Sequence, residues 1–217
     1  MTDLFISELV FAPGSGFGAF FTAVGECPAL FPALYALAAL VYLAASKKIK
    51  DKDARKKAFT FFLYAAATVV VTAAVVVILK NLWGRARFTE LGENHAGFSP
   101  WYLPQGLTGH DSFPSGHAAM SALVFFVSDG IEYFTGKRLR SVDLLCFAFT
   151  SAVCVARLIE GAHYLSDLVA GAALAAFFRA VCLRACGIRA RKPFGKKVLP
   201  INYPSAGGSA VDTERLR

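Results

Sequence analysis

Residues 157–167 contain an arginine, a histidine and an aspartate in an otherwise apolar part of the sequence. Ionisable side chains at membrane depth cost free energy and usually serve a chemical purpose. His163 and Asp167 are four residues apart, so on a helix they would share one face, and the carboxylate could hold the imidazole in one tautomer. Arg157 precedes them by more than one turn, and the chain could bend back at Gly161. The stretch therefore predicts a histidine base or nucleophile, an aspartate that orients it and an arginine that binds an anion.

Two further cations, Lys80 and Arg87, follow a long apolar run and are seven residues apart. Seven residues make two helical turns, so the side chains could point the same way and clamp an anion, with Arg87 giving planar bidentate bonds to phosphate. Taken alone, cations at a helix end are better explained by snorkelling towards the membrane surface. Arg85, between them, is expected to contact a lipid headgroup rather than the bound anion.

The third stretch is Ser112-Phe-Pro-Ser-Gly-His117. Pro114 and Ser115 are typical of a helix start, where free backbone N–H groups and the helix dipole attract anions. Gly116 would let an oxygen approach the backbone closely, and His117 on the first turn could reach a leaving-group oxygen. Pro-Ser-Gly is also a common turn, so this stretch is a weak signal by itself.

Together, the three stretches predict phosphoryl transfer by a nucleophilic histidine. His163, oriented by Asp167, would attack phosphorus, and His117 would supply a proton. The groups expected to hold the phosphate are Lys80, Arg87, Ser115, Gly116 and Arg157. The sequence has no carboxylate cluster that suits Mg²⁺, so the cations must neutralise the phosphate charge, and we expect neither a metal nor another cofactor.

The composition indicates that these residues sit in an integral membrane protein. The chain is 56% hydrophobic and 18% charged, with its apolar residues in long runs, whereas a soluble domain is about a quarter charged. Of the 23 Lys and Arg residues, most lie in three stretches beside apolar runs, at 47–57, 137–140 and 184–217. This is the positive-inside pattern of cytoplasmic loops. The net charge of +8 therefore does not indicate nucleic-acid binding, and the expected partners are membrane lipids and a lipid phosphate.

The apolar runs predict an all-α polytopic membrane helix bundle. Runs of roughly 20 residues can cross the bilayer as helices. Five transmembrane helices are predicted, at 28–45, 58–79, 115–134, 141–156 and 163–182. Residues 1–26 are broken by Pro13-Gly14, so we expect a short interfacial or re-entrant segment packed on the bundle, with a sixth transmembrane helix as the alternative. Residues 1–186 would form one membrane-embedded domain, and 187–217 a basic, flexible cytoplasmic tail.

The alternation of the spans puts the chemical groups on one side of the membrane. With the basic loops in the cytoplasm, the long connection 81–113 faces outwards, and a loop of this length is usually functional. All the candidate residues of the three stretches then fall at the outer ends of their spans. The sequence predicts a composite site on the extracytoplasmic face of a plasma membrane, with a bacterial inner membrane as the expected location.

The motifs Lys-x6-Arg, Pro-Ser-Gly-His and Arg-x5-His-x3-Asp occur in this order between residues 80 and 167. Their combination resembles the type 2 phosphatidic acid phosphatase family, whose superfamily also includes the vanadium haloperoxidases. The resemblance implies that His163 forms a phosphohistidine and that His117 is first an acid towards the leaving alkoxide and then a base towards water. In that family the first motif usually ends in Arg-Pro, whereas Phe88 follows Arg87 here. We expect an altered loop geometry rather than a loss of activity.

Two other functions are weighed against a lipid phosphatase. A transporter or channel could also use intramembrane charges, but it would favour inverted repeats or helices broken near those charges, and the break at 13–14 lies far from them. The peroxidase branch would bind vanadate in the phosphate site, but its members are soluble. The sequence is compatible with undecaprenyl pyrophosphate, phosphatidate, phosphatidylglycerol phosphate and lipid A; an outward-facing bacterial site favours the prenyl pyrophosphate as the first choice. The oligomeric state is not predicted.

Overall fold

The computed structural model describes residues 2–25 and 51–188. Within these ranges the chain is helical and contains no strand, which confirms the all-α prediction for this part. The helices are α1 (Thr2–Val10), α2 (Gly16–Gly25), α3 (Lys52–Trp83), α4 (Gly116–Ala122), α5 (Phe126–Thr135), α6 (Arg140–Ile159) and α7 (Leu165–Ala185). The predicted span 28–45 and almost all of the predicted tail lie outside the described residues.

Three of the described segments are long and apolar enough to cross a membrane. They are Lys52–Glu90, Arg140–Ile159 and Leu165–Ala185, and an apolar stretch of 18 residues in each has a mean hydropathy of 2.6, 1.9 and 1.7, respectively. These segments contain or overlap the predicted spans 58–79, 141–156 and 163–182. The predicted span at 115–134 is not one regular α-helix: α4 leads through a 3-10 turn at Leu123–Phe125 into α5.

Helix α3 is the longest described element, and both of its ends have a clear cause. Asp51 caps its start by accepting a hydrogen bond from the backbone N–H of Asp53 at 2.9 Å. Gly84 ends it in the left-handed conformation, with φ of +55°, and donates its N–H to the Lys80 carbonyl at 3.1 Å. A Cβ atom on Gly84 would lie 2.0 Å from the Gly106 carbonyl oxygen, so only glycine fits this turn. Lys80 therefore lies in the last helical turn, and the residues that follow turn into the bundle.

Helix α4 lies at the centre, packed against α3, α6 and α7. The tightest contact is at Gly171 of α7, where a Cβ atom would lie 2.2 Å from the Ser115 carbonyl oxygen and 3.3 Å from Cβ of Ala118. Ala118 and Ala119 of α4 are fully buried. Small residues at these positions let the start of α4 approach α7, and this brings the second and third motifs together.

The N-terminal segment consists of two short helices on the outside of this core. Helix α2 packs on α6, and α1 contacts both α6 and α7. The two helices are separated by the non-helical residues 11–15, where the Ala12 N–H donates to the Ile159 carbonyl at 3.0 Å. The predicted packing of this segment on the bundle is confirmed for residues 2–25.

A polar cluster connects the helices at the opposite end from Lys80. Asp129 of α5 accepts hydrogen bonds from the Tyr64 hydroxyl at 2.5 Å and from Nε and Nη2 of Arg179 at 2.7 and 3.1 Å. Tyr64 is fully buried and Asp129 is 6% exposed. This cluster connects α3, α5 and α7, and its charges are paired with each other.

Candidate active site

The C-terminal half of α3, the first turns of α4 and the loops that carry Arg87, Asp111 and His163 line a cavity of about 310 Å³. Its polar lining includes five of the residues predicted from sequence, together with Asp111. These six are Lys80, Arg87, Asp111, Gly116, His117 and His163. The other wall is apolar and is formed mostly by one face of α3, with Val69, Ala73, Val76 and Val77. The three sequence motifs thus meet in one place, although they are separated along the chain.

The two histidines lie side by side in this cavity. The ring centroids of His117 and His163 are 6.2 Å apart, and the rings are tilted by 54°. His163 is 1% exposed, and its Nδ1 lies 2.8 Å from the Ser112 carbonyl oxygen. A carbonyl oxygen can only accept, so Nδ1 must carry the hydrogen and Nε2 keeps its lone pair. Nε2 of His117 is buried and has no hydrogen-bond partner among the described residues.

Asp167 does not orient His163 in the way predicted. Its Oδ2 lies 3.9 Å from Nδ1 of His163, too far for a hydrogen bond. The same oxygen accepts from the Ser112 hydroxyl at 2.6 Å and from the Tyr164 N–H at 2.9 Å. The expected direct contact is wrong because α7 begins at Leu165, so His163 precedes the helix and does not share a helical face with Asp167. Asp167 instead holds Ser112, and the Ser112 carbonyl holds the imidazole.

The bend predicted at Gly161 is present. Gly161 has φ of +67°, and its carbonyl accepts from the Thr89 N–H at 3.3 Å. A Cβ atom there would meet the Phe11 ring at 2.6 Å. The bend returns the chain from the end of α6, so that His163 N–H donates to the Arg157 carbonyl at 3.3 Å.

Lys80 and Arg87 converge as predicted, but for another reason. Because α3 ends at Trp83, the two side chains are not on one helical face. They meet at Asp111, a residue that sequence reasoning missed. Nζ of Lys80 donates to Oδ2 of Asp111 at 3.1 Å and to the Asp111 backbone carbonyl at 2.6 Å. Arg87 donates to Oδ1 of Asp111 from both Nε, at 3.1 Å, and Nη2, at 2.7 Å. An acidic residue directly before the 112–117 motif was the only sequence signal for this contact.

The charge of Asp111 is set by its two cationic partners. Partial burial by itself would raise the pKa of the Asp111 carboxyl, but Lys80 and then Arg87 outweigh it and hold that pKa below its ordinary value. The side chain is 47% exposed. Asp111 is therefore an ionised and accessible carboxylate bound to the two cations that were predicted to bind phosphate.

Arg85 is a buried residue of the core, so its predicted contact with a lipid headgroup is wrong. It is 1% exposed and its guanidinium carbon lies 4.1 Å from the centre of the Tyr164 ring. Nε donates to the Ser99 carbonyl at 2.8 Å, and Nη1 forms an ion pair with Asp167. Nη2 donates to Asp3 of α1 at 3.0 Å. The left-handed turn after α3 directs Arg85 inwards, and no local sequence pattern showed that its partners lie at residues 3, 99 and 167.

The two remaining residues predicted to bind phosphate, Ser115 and Arg157, do not line the cavity. Ser115 is the N-cap of α4, as predicted, and its hydroxyl accepts from the Ala118 N–H at 3.3 Å. Arg157, in the last turn of α6, is 6% exposed and donates from Nη1 to the Thr22 hydroxyl at 3.4 Å. It is near enough to His117 and His163 to interact electrostatically with both.

Phe88 occupies the position where the family usually has proline. It begins a 3-10 turn at Phe88–Glu90, and its ring lies 5.0 Å from that of Phe11 and 6.5 Å from that of Tyr164. The residue thus connects the loop after α3 to the N-terminal segment by an aromatic contact.

Within residues 2–25 and 51–188, no three His, Cys, Asp or Glu side chains are grouped so that they could hold a metal ion. The searches of curated proteins and of solved structures returned no match. A family model described as the PAP2 superfamily matches residues 61–190, more than half of the chain and the whole of the range that holds the three motifs. On this match, and with the motifs meeting in one cavity, the chain belongs to the PAP2 superfamily.

Proposed function

We propose that this protein is an integral membrane phosphatase that hydrolyses the phosphomonoester or pyrophosphate of a lipid through a phosphohistidine. Membership of the PAP2 superfamily indicates a phosphatase that acts on phosphate esters, and the three apolar helices indicate membrane association. The observation that carries the finer proposal is the cavity of about 310 Å³, which holds two histidines and two cations beside an apolar wall.

In the first step, Nε2 of His163 attacks phosphorus and the bond from phosphorus to the leaving oxygen breaks. The Ser112 carbonyl supports this role, because it keeps the proton on Nδ1 and the lone pair on Nε2. His117 gives a proton to the leaving oxygen. The ring centroids are 6.2 Å apart, so both side chains can contact one phosphoryl group bound in the cavity.

In the second step, water attacks the phosphohistidine, His117 takes a proton from this water, and inorganic phosphate leaves His163 in its original form. The negative charge that develops on the phosphoryl oxygens is stabilised by Lys80, Arg87 and Arg157. A preorganised contact of this kind typically contributes about 3 kcal/mol to transition-state stabilisation. These cations are proposed to neutralise the phosphoryl charge that a metal ion neutralises in other phosphatases.

The apolar wall supports a lipid substrate. Val76 and Val77 line the cavity next to Lys80, and Val77 is also 57% exposed on the outer face of α3. A phosphate headgroup could therefore bind in the cavity against the histidines while its acyl or prenyl chain lies along α3. Undecaprenyl pyrophosphate is the first substrate to test, followed by phosphatidate-type lipids.

The proposed orientation places the cavity on the extracytoplasmic side. The basic segments 47–57 and 137–140 extend into the first residues of α3 and α6, and Lys80 and Arg157 lie at the other ends of these helices. The positive-inside rule favours cytoplasmic basic ends. A headgroup would then be hydrolysed at the outer face of the membrane.

A panel of lipid phosphates, assayed for phosphate release with detergent-purified protein, tests the proposal. We expect the parent protein to hydrolyse at least one lipid and His163→Ala to release no phosphate, because the nucleophile is gone. His110→Ala is the matched control and should keep the parent rate, since His110 is exposed and pairs with Glu90 outside the cavity. Turnover by His163→Ala near the parent rate would exclude the phosphohistidine.

The same assay in EDTA tests the role given to the cations. Activity should persist after chelation, since no step requires a metal. A loss of activity in EDTA that added Mg²⁺ restores would contradict the proposed mechanism.

A further inference from the structure

A continuous series of hydrogen bonds connects the N-terminal helix to His163. Asp3 of α1 accepts from Nη2 of Arg85, and Arg85 donates from Nη1 to Asp167. Asp167 accepts from the Ser112 hydroxyl, and the Ser112 carbonyl accepts from Nδ1 of His163. The distances are 3.0 Å for Asp3 to Arg85, 2.6 Å for Ser112 to Asp167 and 2.8 Å for Ser112 to His163.

Four of the five members of this series are buried, and Asp3 is mostly shielded from water. Arg85, Asp167, Ser112 and His163 are at most 1% exposed, and the Asp3 side chain is 13% exposed. A buried hydrogen bond that loses one partner is not replaced by a bond to solvent, so the remaining partner must move or stay unsatisfied. A change at one end of the series is therefore expected to reach the other end as a shift in side-chain position.

Asp3 holds two elements of the site at once. Besides Arg85, its carboxylate accepts from the backbone N–H of Ser166 at 3.1 Å and from the Ser166 hydroxyl. Ser166 is in the first turn of α7 and also accepts from Nη1 of Arg85 at 2.9 Å. The position of the guanidinium relative to Asp167 thus depends on the carboxylate at residue 3.

We infer that Asp3 is a positioning residue for hydrolysis, and that helix α1 completes the hydrogen-bond series that fixes the orientation of His163. Asp3 lies far outside the matched range 61–190 and outside the three motifs. The inference rests on the proposed function, because it takes His163 to be the nucleophile. Asp3 does not line the cavity, so it acts through Arg85 and not on the substrate.

The attachment of α1 to the rest of the protein can be separated from this role. Glu8, at the other end of α1, pairs with Nε2 of His95 at 2.7 Å, and both side chains are at least 40% exposed. Phe11 packs on Phe88 just after the helix. Glu8→Gln therefore removes an ionic contact of α1 without touching Arg85, and is the matched control for Asp3→Asn.

The first experiment measures kcat and KM of the full-length protein in detergent for Asp3→Asn, Asp3→Glu and Glu8→Gln. We expect Asp3→Asn to lower kcat about tenfold, because a small displacement of a nucleophile is costly. Its KM should stay within about twofold of the parent value, since Lys80 and Arg87 are not in the series. Asp3→Glu should restore part of kcat, and Glu8→Gln should behave like the parent. Equal kcat values for Asp3→Asn and Glu8→Gln, or a change in KM alone, would overturn the inference.

A second readout does not depend on activity. With ¹⁵N-labelled histidine, the Nδ1 resonance of His163, assigned from its loss in His163→Ala, should shift in Asp3→Asn and not in Glu8→Gln. An unchanged His163 resonance in Asp3→Asn would overturn the positioning role, whatever the substrate proves to be. If the parent protein hydrolyses no lipid phosphate but the resonance shifts as expected, the proposed function fails while the structural link stands.

Discussion

At the scale of single residues, Asp111 stands where a substrate phosphate is expected. Its carboxylate accepts from Lys80 and Arg87, the two cations proposed to bind the phosphoryl oxygens. A phosphate group would have to compete with this carboxylate for the same donors. Displacing the Asp111 carboxylate should cost the phosphate only a moderate part of its binding free energy, because an ion pair that is half exposed contributes about 1 kcal/mol or less.

We expect Asp111→Asn to bind inorganic phosphate and vanadate more tightly than the parent protein. The inhibition constant should fall about fivefold, which corresponds to the removal of one such competing ion pair. Inhibition of lipid hydrolysis by each anion is the measurement. Glu132→Gln is the control, since Glu132 pairs with Arg138 and does not line the cavity. Equal or weaker inhibition in Asp111→Asn would show that Asp111 does not compete with phosphate.

The pH dependence of this effect has a definite sign. Lys80 and Arg87 hold the pKa of Asp111 below its ordinary value, so the carboxylate stays ionised when the pH falls from neutral to mildly acidic. The difference between the parent protein and Asp111→Asn should therefore stay constant over this range. It should disappear only when the pH falls through that lowered pKa, because the protonated side chain no longer pairs with the cations.

The candidate residues could be predicted from the sequence, whereas most of their contacts could not. Lys80 and His163 were identified by residue type and spacing, and they do line one cavity. The group that holds His163 is the backbone carbonyl of Ser112, which has no signature in the sequence. Arg85 could not be assigned because one of its partners, Asp3, is distant in the chain and belongs to no motif.

At the scale of elements, the contact between α4 and α7 decides where the helix that carries His117 begins. Gly171 lies directly against the Ser115 carbonyl, and the Ser115 N–H donates to the Asp167 carbonyl at 3.0 Å. The second and third motifs are thus connected through backbone atoms, which cannot move away as a flexible side chain could.

Gly171→Ala should separate these two elements. Its Cβ would lie 2.2 Å from the Ser115 carbonyl oxygen, so α4 must shift relative to α7. We expect a loss of about 1–3 kcal/mol in stability and a fall in kcat of at least about tenfold. Gly130→Ala in α5 is the control, because its Cβ would be closest to the far end of the Phe61 ring, at 3.1 Å. Thermal unfolding and phosphate release of both variants test this, and similar activity in the two would contradict it.

The apolar parts of the helices could be predicted from the sequence, but their exact ends and their polar parts could not. The run 58–79 indicated α3, but the helix begins at Lys52, because charged residues continue it beyond the apolar part and Asp51 caps it. The change from α4 through a 3-10 turn to α5 could not be read from an apolar run alone. It places Asp129 against Tyr64 and Arg179, and that buried cluster was not predicted.

At the scale of the whole molecule, membrane association followed directly from the sequence, because long apolar runs have few alternatives in a chain of this length. The meeting of three motifs at one end of the bundle also followed, from the alternation of the spans. The contribution of the N-terminal segment to the site could not be predicted from the sequence. Its contacts with Arg85 and Ser166 depend on how α1 docks, and this is a property of the complete fold.

The apolar wall of the cavity has a consequence for how the enzyme meets its substrate. Since Val77 is exposed on the outer face of α3 and also lines the cavity, a lipid would reach the histidines by diffusing within the membrane plane. In mixed micelles the rate of hydrolysis should then follow the mole fraction of the lipid in the micelle, and added detergent should slow it even at constant bulk concentration. A short-chain, water-soluble phosphate ester should instead follow its bulk concentration. Equal sensitivity of the two substrates to surface dilution would mean that the headgroup enters from the water.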